Sequence, residues 1–127
     1  NISGQVMEDL GEWLGREDCR LQDLVICCAP YLPTFCRSID GKVLENRTLK
    51  RLALANVNLS SNDLEGLGLC NAFPNLNVLL LQSNRICDLS PLEAILCKEG
   101  CKIQELKLGF NVIRYDSIMK FAAKIPL

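Results

Sequence analysis

Histidine is absent from this sequence of 127 residues, and other groups that enzymes depend on are also missing. Without His, the chain lacks the commonest general acid and base of enzymes. No Gly-rich phosphate-binding loop is present, and the acidic residues are scattered without a paired arrangement. No C-x-x-C unit occurs, so the clustered Cys and His ligands of a zinc site are lacking as well. We therefore predict a non-enzymatic chain without catalytic residues, cofactor-binding residues, a metal site or a small-molecule substrate.

Long hydrophobic runs and net charge are also lacking. Apolar stretches such as residues 78–81 are far shorter than the roughly 20 residues that cross a bilayer as a helix, so we expect no transmembrane segment. Fourteen basic and fifteen acidic side chains nearly cancel, which leaves little attraction to nucleic acid phosphates or anionic membranes. An apolar content of 49% favours one globular domain over residues 1–127. Because the first residue is Asn and no leader precedes it, we expect a processed chain or part of a longer one.

What the sequence does contain is an internal repeat of 27 to 28 residues. Counted from its first apolar residue, each copy has apolar residues at positions one, four, six and eleven, and the last two copies have Asn at position nine. The apolar positions are filled by Leu21, Leu24, Ile26 and Tyr31; Leu49, Leu52, Leu54 and Leu59; Leu76, Leu79, Leu81 and Ile86; and Ile103, Leu106, Leu108 and Ile113. Asn84 and Asn111 occupy position nine, where Ala29 and Val57 stand in the first two copies.

This pattern resembles the leucine-rich repeat family, whose consensus is L-x-x-L-x-L-x-x-N-x-L, and its spacing is similar to that of the ribonuclease-inhibitor-like subclass. The resemblance covers roughly residues 19–127. It implies an α/β solenoid of about four to five repeats, with short parallel strands on a concave face and helices on a convex face. The motifs Cys19-Arg-Leu-Gln-Asp-Leu24 and Cys101-Lys-Ile-Gln-Glu-Leu106 also resemble those of NOD-like receptors and ribonuclease inhibitor.

The periodicity within each repeat predicts the secondary structure. Strands are expected near residues 22–27, 50–55, 78–82 and 105–109. Helices are expected over residues 4–15, 34–45, from 60 to about 70, from 90 to about 99, and over 116–124. Trp13 is predicted to lie in the core, and Ser90-Pro-Leu-Glu93 predicts a helix start with Ser90 as N-cap and Glu93 closing a capping box.

Positions three, five and seven of each repeat alternate with the inward leucines and should point out of the concave face. Val25, Ala53 and Leu80 then form an apolar column that the template makes solvent-facing, which favours a partner-binding surface there. Phe110, beside the end of the last strand, is a further candidate. The predicted partner-binding residues are Asp23, Val25, Arg51, Ala53, Val78, Leu80, Gln82, Glu105, Lys107 and Phe110.

Eight cysteines admit two interpretations. Cys70 and Cys97 recur at one repeat position and Cys19 and Cys101 at another, which favours small apolar residues buried between repeats and a reducing, intracellular compartment, cytoplasmic or nuclear. Three N-glycosylation sequons, beginning at Asn1, Asn46 and Asn58, support secretion instead.

The function favoured by these patterns is a non-catalytic protein-interaction module that binds a protein through its concave sheet, as a scaffold, sensor or regulator. One alternative is the leucine-rich repeat part of an RNA-export or RNA-associated factor, although concentrated Lys and Arg are missing from the predicted face. A further alternative is a secreted or surface recognition domain.

Overall fold

The computed structural model describes residues 4–27, 45–66 and 72–124. Its centre is a sheet of four short strands, β1 (Asp23–Cys27), β2 (Arg51–Ala55), β3 (Val78–Leu80) and β4 (Glu105–Lys107). The strands are parallel and lie in the order β1-β2-β3-β4, so each repeat places its strand beside that of the previous repeat. The predicted α/β class and strand positions are confirmed. Strands β3 and β4 end sooner than predicted because the chain turns at Ser83 and Phe110, which have φ values of 59° and 58°.

The leucines at the repeat positions form one face of this sheet and pack into the hydrophobic core. In the second and third copies all eight are buried: Leu49, Leu52, Leu54, Leu59, Leu76, Leu79, Leu81 and Ile86. In the last copy they are only partly buried and pack on the edge of the core: Ile103, Leu106, Leu108 and Ile113. Each strand alone lacks an opposing apolar layer, and the neighbouring repeats and the helices supply it. Tyr31, the last apolar position of the first copy, lies outside the described residues.

Asn at position nine joins one repeat to the next through hydrogen bonds. The Asn84 side chain donates to the carbonyl oxygens of Leu54 and Leu81 at 2.7 and 3.1 Å, and its oxygen accepts from the backbone N–H groups of Val57 and Leu59. Asn111 repeats the arrangement one copy later by donating to Leu81. Because the backbone groups of these turns have no strand partners, the side-chain amide of Asn satisfies them.

Within the described ranges, four helices flank the strands: α1 (Gly4–Leu14), α2 (Ser61–Gly66), α3 (Ser90–Leu96) and α4 (Tyr115–Lys124). Helix α2 packs against α3, and α3 packs against α4. The start of α2 is a capping box, since Ser60 and Asp63 exchange hydrogen bonds between each side chain and the backbone N–H of the other. The predicted helix over residues 34–45 lies outside the described residues. No described helix is long and apolar enough to cross a membrane.

The start of α3 differs from the prediction. Leu89 is the N-cap residue and makes no side-chain cap, while Ser90 is already helical. Asp88 accepts hydrogen bonds from both the backbone N–H and the hydroxyl of Ser90, at 3.0 and 2.8 Å. The capping-box prediction for Ser90 and Glu93 was therefore wrong, because an acidic residue two positions earlier binds the same backbone group.

Two further expectations about burial are corrected. Trp13 is 39% exposed rather than in the core, since Leu14 occupies the inward face of α1. Cys97 is exposed and Cys101 partly buried, whereas Cys19 is buried as predicted. Cys70 lies outside the described residues.

Candidate functional site

The sheet has a second face, opposite the leucine core, which we call the open face. Side chains alternate along a strand, so residues between the core leucines lie on this face. The register confirms two predicted columns across the strands: Asp23, Arg51, Val78 and Glu105; and Val25, Ala53, Leu80 and Lys107. Arg51 and Asp23 pair at 3.0 Å, as opposite charges on neighbouring strands. Of the third column, Cys27 pairs with Ala55 in register, and Gln82 and Gly109 lie beyond the ends of β3 and β4.

The apolar column on the open face is less accessible than the sequence suggested. Ala53 and Leu80 are only 5% and 9% exposed, although neither belongs to the hydrophobic core cluster. Each lies on an inner strand that has a neighbouring strand on both sides, whereas β1 has one on a single side. Val25 on edge strand β1 is 57% exposed. The prediction that all three are solvent-facing was therefore wrong for Ala53 and Leu80 and correct for Val25.

Phe110 is the most exposed large apolar residue among those described, at 89%. Its φ of 58° is the left-handed conformation that L residues with bulky side chains avoid. The equivalent positions of the two preceding repeats, Asn56 and Ser83, have the same conformation but carry small polar side chains. A strained aromatic side chain that gains no burial has no stabilising role in the fold, which is the pattern expected at functional positions.

Two exposed residues near Phe110 in the sequence were missed by the sequence analysis. Val112 and Tyr115 are both mostly exposed. Their sequence signal was weak, because an apolar residue near a short turn is more often packed inward. Val112 lies with Phe110 in the turn that follows β4, and Tyr115 is the first residue of α4.

Polar groups on the open face are few. Among the described residues, Glu105 and Lys107 are exposed without an ion-pair partner, while Arg51 is neutralised by Asp23. No group of three potential metal ligands occurs in the described ranges. A cavity of about 80 Å³ lies away from this face, between Phe73, Ile95 and Cys101, and is small beside the roughly 300 Å³ of small-molecule pockets.

The fold can be compared with solved structures. It matches leiomodin-1 actin-binding site 2 with a TM-score of 0.69 and 18% identity, over 93% of this chain and 71% of that one. It also matches the C-terminal domain of tropomodulin from Caenorhabditis elegans with a TM-score of 0.63 and 18% identity, over 93% of this chain and 74% of that one. The fold is leucine-rich-repeat-like. No family profile and no curated protein matches the sequence.

This likeness to leiomodin and tropomodulin concerns the fold alone, since 18% of residues are identical. It agrees with the leucine-rich-repeat-like character of the sequence: parallel strands, leucines toward the core and Asn at the turn. At this identity the likeness carries no information about the side chains of the open face.

Proposed function

We propose that residues 1–127 form a single leucine-rich repeat domain, of the ribonuclease-inhibitor-like subclass, that works as a non-catalytic protein-binding module. Its partner-binding surface is the open face of the sheet with Phe110 at one end. The observation that carries the proposal is Phe110, an aromatic side chain held 89% exposed on a strained backbone. Aromatic residues are the commonest anchors of protein interfaces, and here the fold gains nothing from one.

Two properties of the open face favour a protein over other ligands. Val25 supplies exposed apolar surface on edge strand β1. Ala53 and Leu80 place uncharged side chains on the two inner strands. The charges of Asp23 and Arg51 cancel, so this part of the open face has no excess of positive or negative charge. A ligand would be recognised there by its shape and its apolar contacts. A folded protein surface or an extended peptide fits these properties.

Actin is the first partner to test, because the fold resembles a structure described as the actin-binding site 2 of leiomodin-1. Cosedimentation with filaments and binding of monomeric actin are the direct assays. Binding that Phe110→Ser weakens would identify actin. Unaltered binding by that variant would place the actin contact elsewhere.

Affinity capture tests the surface without assuming a partner. The informative variants are Val25→Asp and Phe110→Ser, because both side chains are exposed and their replacement leaves the core intact. Leu80→Asp is unsuitable, since Leu80 is buried and the change would disturb folding. Ala94→Asp, on the exposed side of α3, is the matched control. We expect the two open-face variants to lose partners that wild type and control retain, and equal recovery by all four would refute the proposal.

RNA binding is the second candidate but is not favoured. Lys50, Arg51 and Lys107 are the basic residues on or near the open face, and Arg51 is paired with Asp23. Filter binding at low and moderate salt separates the two functions, because contacts to phosphates weaken steeply with salt. Tight RNA binding with a steep salt dependence would replace the protein-binding proposal.

An intracellular location, cytoplasmic or nuclear, fits the thiols better than a secreted surface domain does. Four described cysteines, Cys19, Cys87, Cys97 and Cys101, are free thiols. The amide of sequon residue Asn46 is buried and donates to the carbonyl oxygen of Leu14 at 2.7 Å, where a glycan has no room. Titration of denatured protein without reductant should find every cysteine reactive. Paired cysteines would favour the secreted alternative.

A further inference from the structure

The small cavity away from the open face lies between the third and fourth repeats. Its lining comes from residues 73–76, ahead of β3, and from residues 95–103, which connect α3 to β4. The buried part of this lining is apolar and consists of Phe73, Leu76 and Ile95. A cavity of about 150 Å³ takes up benzene. At about 80 Å³, this one has room for a single branched aliphatic group.

The equivalent place one repeat earlier is closed by a backbone hydrogen bond. Asn46 N–H donates to Ala72 O at 2.7 Å, which joins the segments ahead of β2 and β3. One repeat later the corresponding residues are Phe73 and Glu99, and in the described structure no hydrogen bond joins their backbones. Both of these residues line the cavity, so the cavity occupies the place where the two repeats are not closed.

A fixed positive charge lies at the mouth of the cavity, which is formed by its exposed lining residues. The Lys102 ammonium group donates to the side-chain oxygen of Asn75 at 2.8 Å, and the Asn75 amide donates to the carbonyl oxygen of Arg47 at 2.8 Å. Because Asn75 is neutral, this contact holds the ammonium group without neutralising it. Lys98 and Glu99, also at the mouth, carry opposite charges. Lys102 therefore gives the mouth its excess of positive charge.

An apolar cavity beside a fixed ammonium group fits a ligand that has an aliphatic group and a carboxylate close together. In an extended peptide, neighbouring side chains point to opposite sides, so an acidic residue next to Leu directs its carboxylate away from the Leu side chain. At the C-terminus of a chain, the α-carboxylate and the last side chain share one Cα atom and can reach a single cavity together. The chemistry favours a C-terminal aliphatic residue over an internal acidic segment.

We propose that this cavity binds the C-terminal residue of a partner polypeptide. A Leu, Ile or Val side chain packs against Phe73 and Ile95, and the α-carboxylate pairs with Lys102. The charge of Lys102 selects a free carboxylate, and the volume of the cavity selects a small aliphatic side chain. Because the cavity lies away from the open face, this binding does not depend on the open-face proposal.

Peptides that differ only at their C-terminus test the proposal. In an NMR titration of the isotope-labelled protein, Gly-Ser-Gly-Ser-Leu should bind with a dissociation constant on the order of 1 mM, as expected for one buried side chain and one exposed ion pair. Its C-terminal amide, and the free acid that ends in Gly, should each bind more weakly on the order of fivefold. Amidated Gly-Ser-Leu-Asp-Gly, which has an internal Leu beside a carboxylate, should also bind weakly.

Equal binding of the acid and the amide would overturn the proposal, as would equal binding of the peptides that end in Leu and Gly. Binding of the internal Leu-Asp peptide as tight as that of the free acid would show that the cavity takes an internal acidic segment instead. Absence of binding by the Leu peptide at several millimolar would remove the site altogether.

Variants of the protein locate the contacts. Lys102→Gln should lose the preference for acid over amide, Lys102→Arg should keep it, and Lys120→Gln is the control at an exposed lysine outside the cavity. Cys101→Leu should fill the cavity and abolish binding without lowering the midpoint of thermal unfolding. A folded Cys101→Leu variant that still binds, or a Lys102→Gln variant that keeps the preference, would contradict the proposal. Phe110→Ser should bind these peptides as wild type does, which separates this test from that of the open face.

Discussion

Single side chains decide how one repeat is held to the next, and Asn84 shows how. It is buried, and its amide satisfies backbone groups in its own turn and in the previous repeat. Asn111 makes two equivalent contacts toward the preceding repeat, to Leu81 O and Ile86 N–H, but is only partly buried. Asn84 and Asn111 therefore contribute differently to the free energy of unfolding, although they share residue type and repeat position.

We expect Asn84→Ala to lower the free energy of unfolding by on the order of 3 kcal/mol, because several buried backbone groups lose their partners. Asn111→Ala should cost on the order of 1 kcal/mol, since water can reach the groups it leaves. Urea denaturation of both variants measures the difference. Equal losses would show that burial does not govern this hydrogen-bond ladder.

Phe110 has a left-handed backbone conformation that Phe residues rarely adopt. Asn tolerates the left-handed region better than Phe does, and Asn56 already occupies the equivalent position of an earlier repeat. Phe110→Asn should raise the free energy of unfolding by about 0.5 to 1 kcal/mol while weakening partner binding. Thermal unfolding at low protein concentration gives the first effect, with Ser83→Asn as the control expected to change little. A destabilised Phe110→Asn variant would mean that the ring packs on the fold.

At the scale of the elements, the start of α3 depends on a carboxylate outside the helix. Hydrogen bonds from the backbone N–H and then the hydroxyl of Ser90 hold the pKa of Asp88 below its ordinary value of 3.8, with Arg114 and Ser117 contributing less. In the same region, the Ser117 hydroxyl accepts a hydrogen bond from Leu89 N–H at 2.8 Å and donates one to the Asp88 carboxylate at 3.5 Å, which ties α4 to the start of α3. The start of this helix is thus shared between two repeats.

This lowered pKa gives a pH prediction with a definite sign. The unfolded chain lacks these hydrogen bonds, so the Asp88 carboxylate stabilises the fold above its unfolded pKa, and that contribution is lost as pH falls through the lower folded pKa. The stability difference between wild type and Asp88→Asn should be constant near neutral pH and shrink below about pH 4. Urea denaturation at a series of pH values measures it, with Glu99→Gln as an exposed control. A difference that persists unchanged in acid would contradict the assignment.

At the scale of the whole molecule, burial falls from the inner repeats to the last one. Leu79 on β3 is fully buried, whereas Leu106 at the equivalent position of β4 is partly buried. From sequence alone the two leucines are interchangeable, and each would be assigned a loss of about 2 to 5 kcal/mol on truncation. The structure distinguishes them because only Leu79 has a repeat on both sides.

We therefore expect Leu79→Ala to lower the free energy of unfolding by on the order of 3 kcal/mol or more and Leu106→Ala by about half as much. Chemical denaturation measures both. Identical losses would argue that the last repeat is covered as well as the inner ones.

The repeat pattern by itself determined the strand positions, their parallel order, the register of the open face and the inward leucines, because these follow from a period of 27 to 28 residues and from alternation along a strand. Tertiary structure alone decided which of those residues water reaches. Ala53 and Leu80 are buried, Phe110 is exposed, and Asp88 rather than Glu93 accepts the hydrogen bond from Ser90 N–H at the start of α3. Exposure depends on what lies beside a residue in space, and a linear pattern does not contain that information.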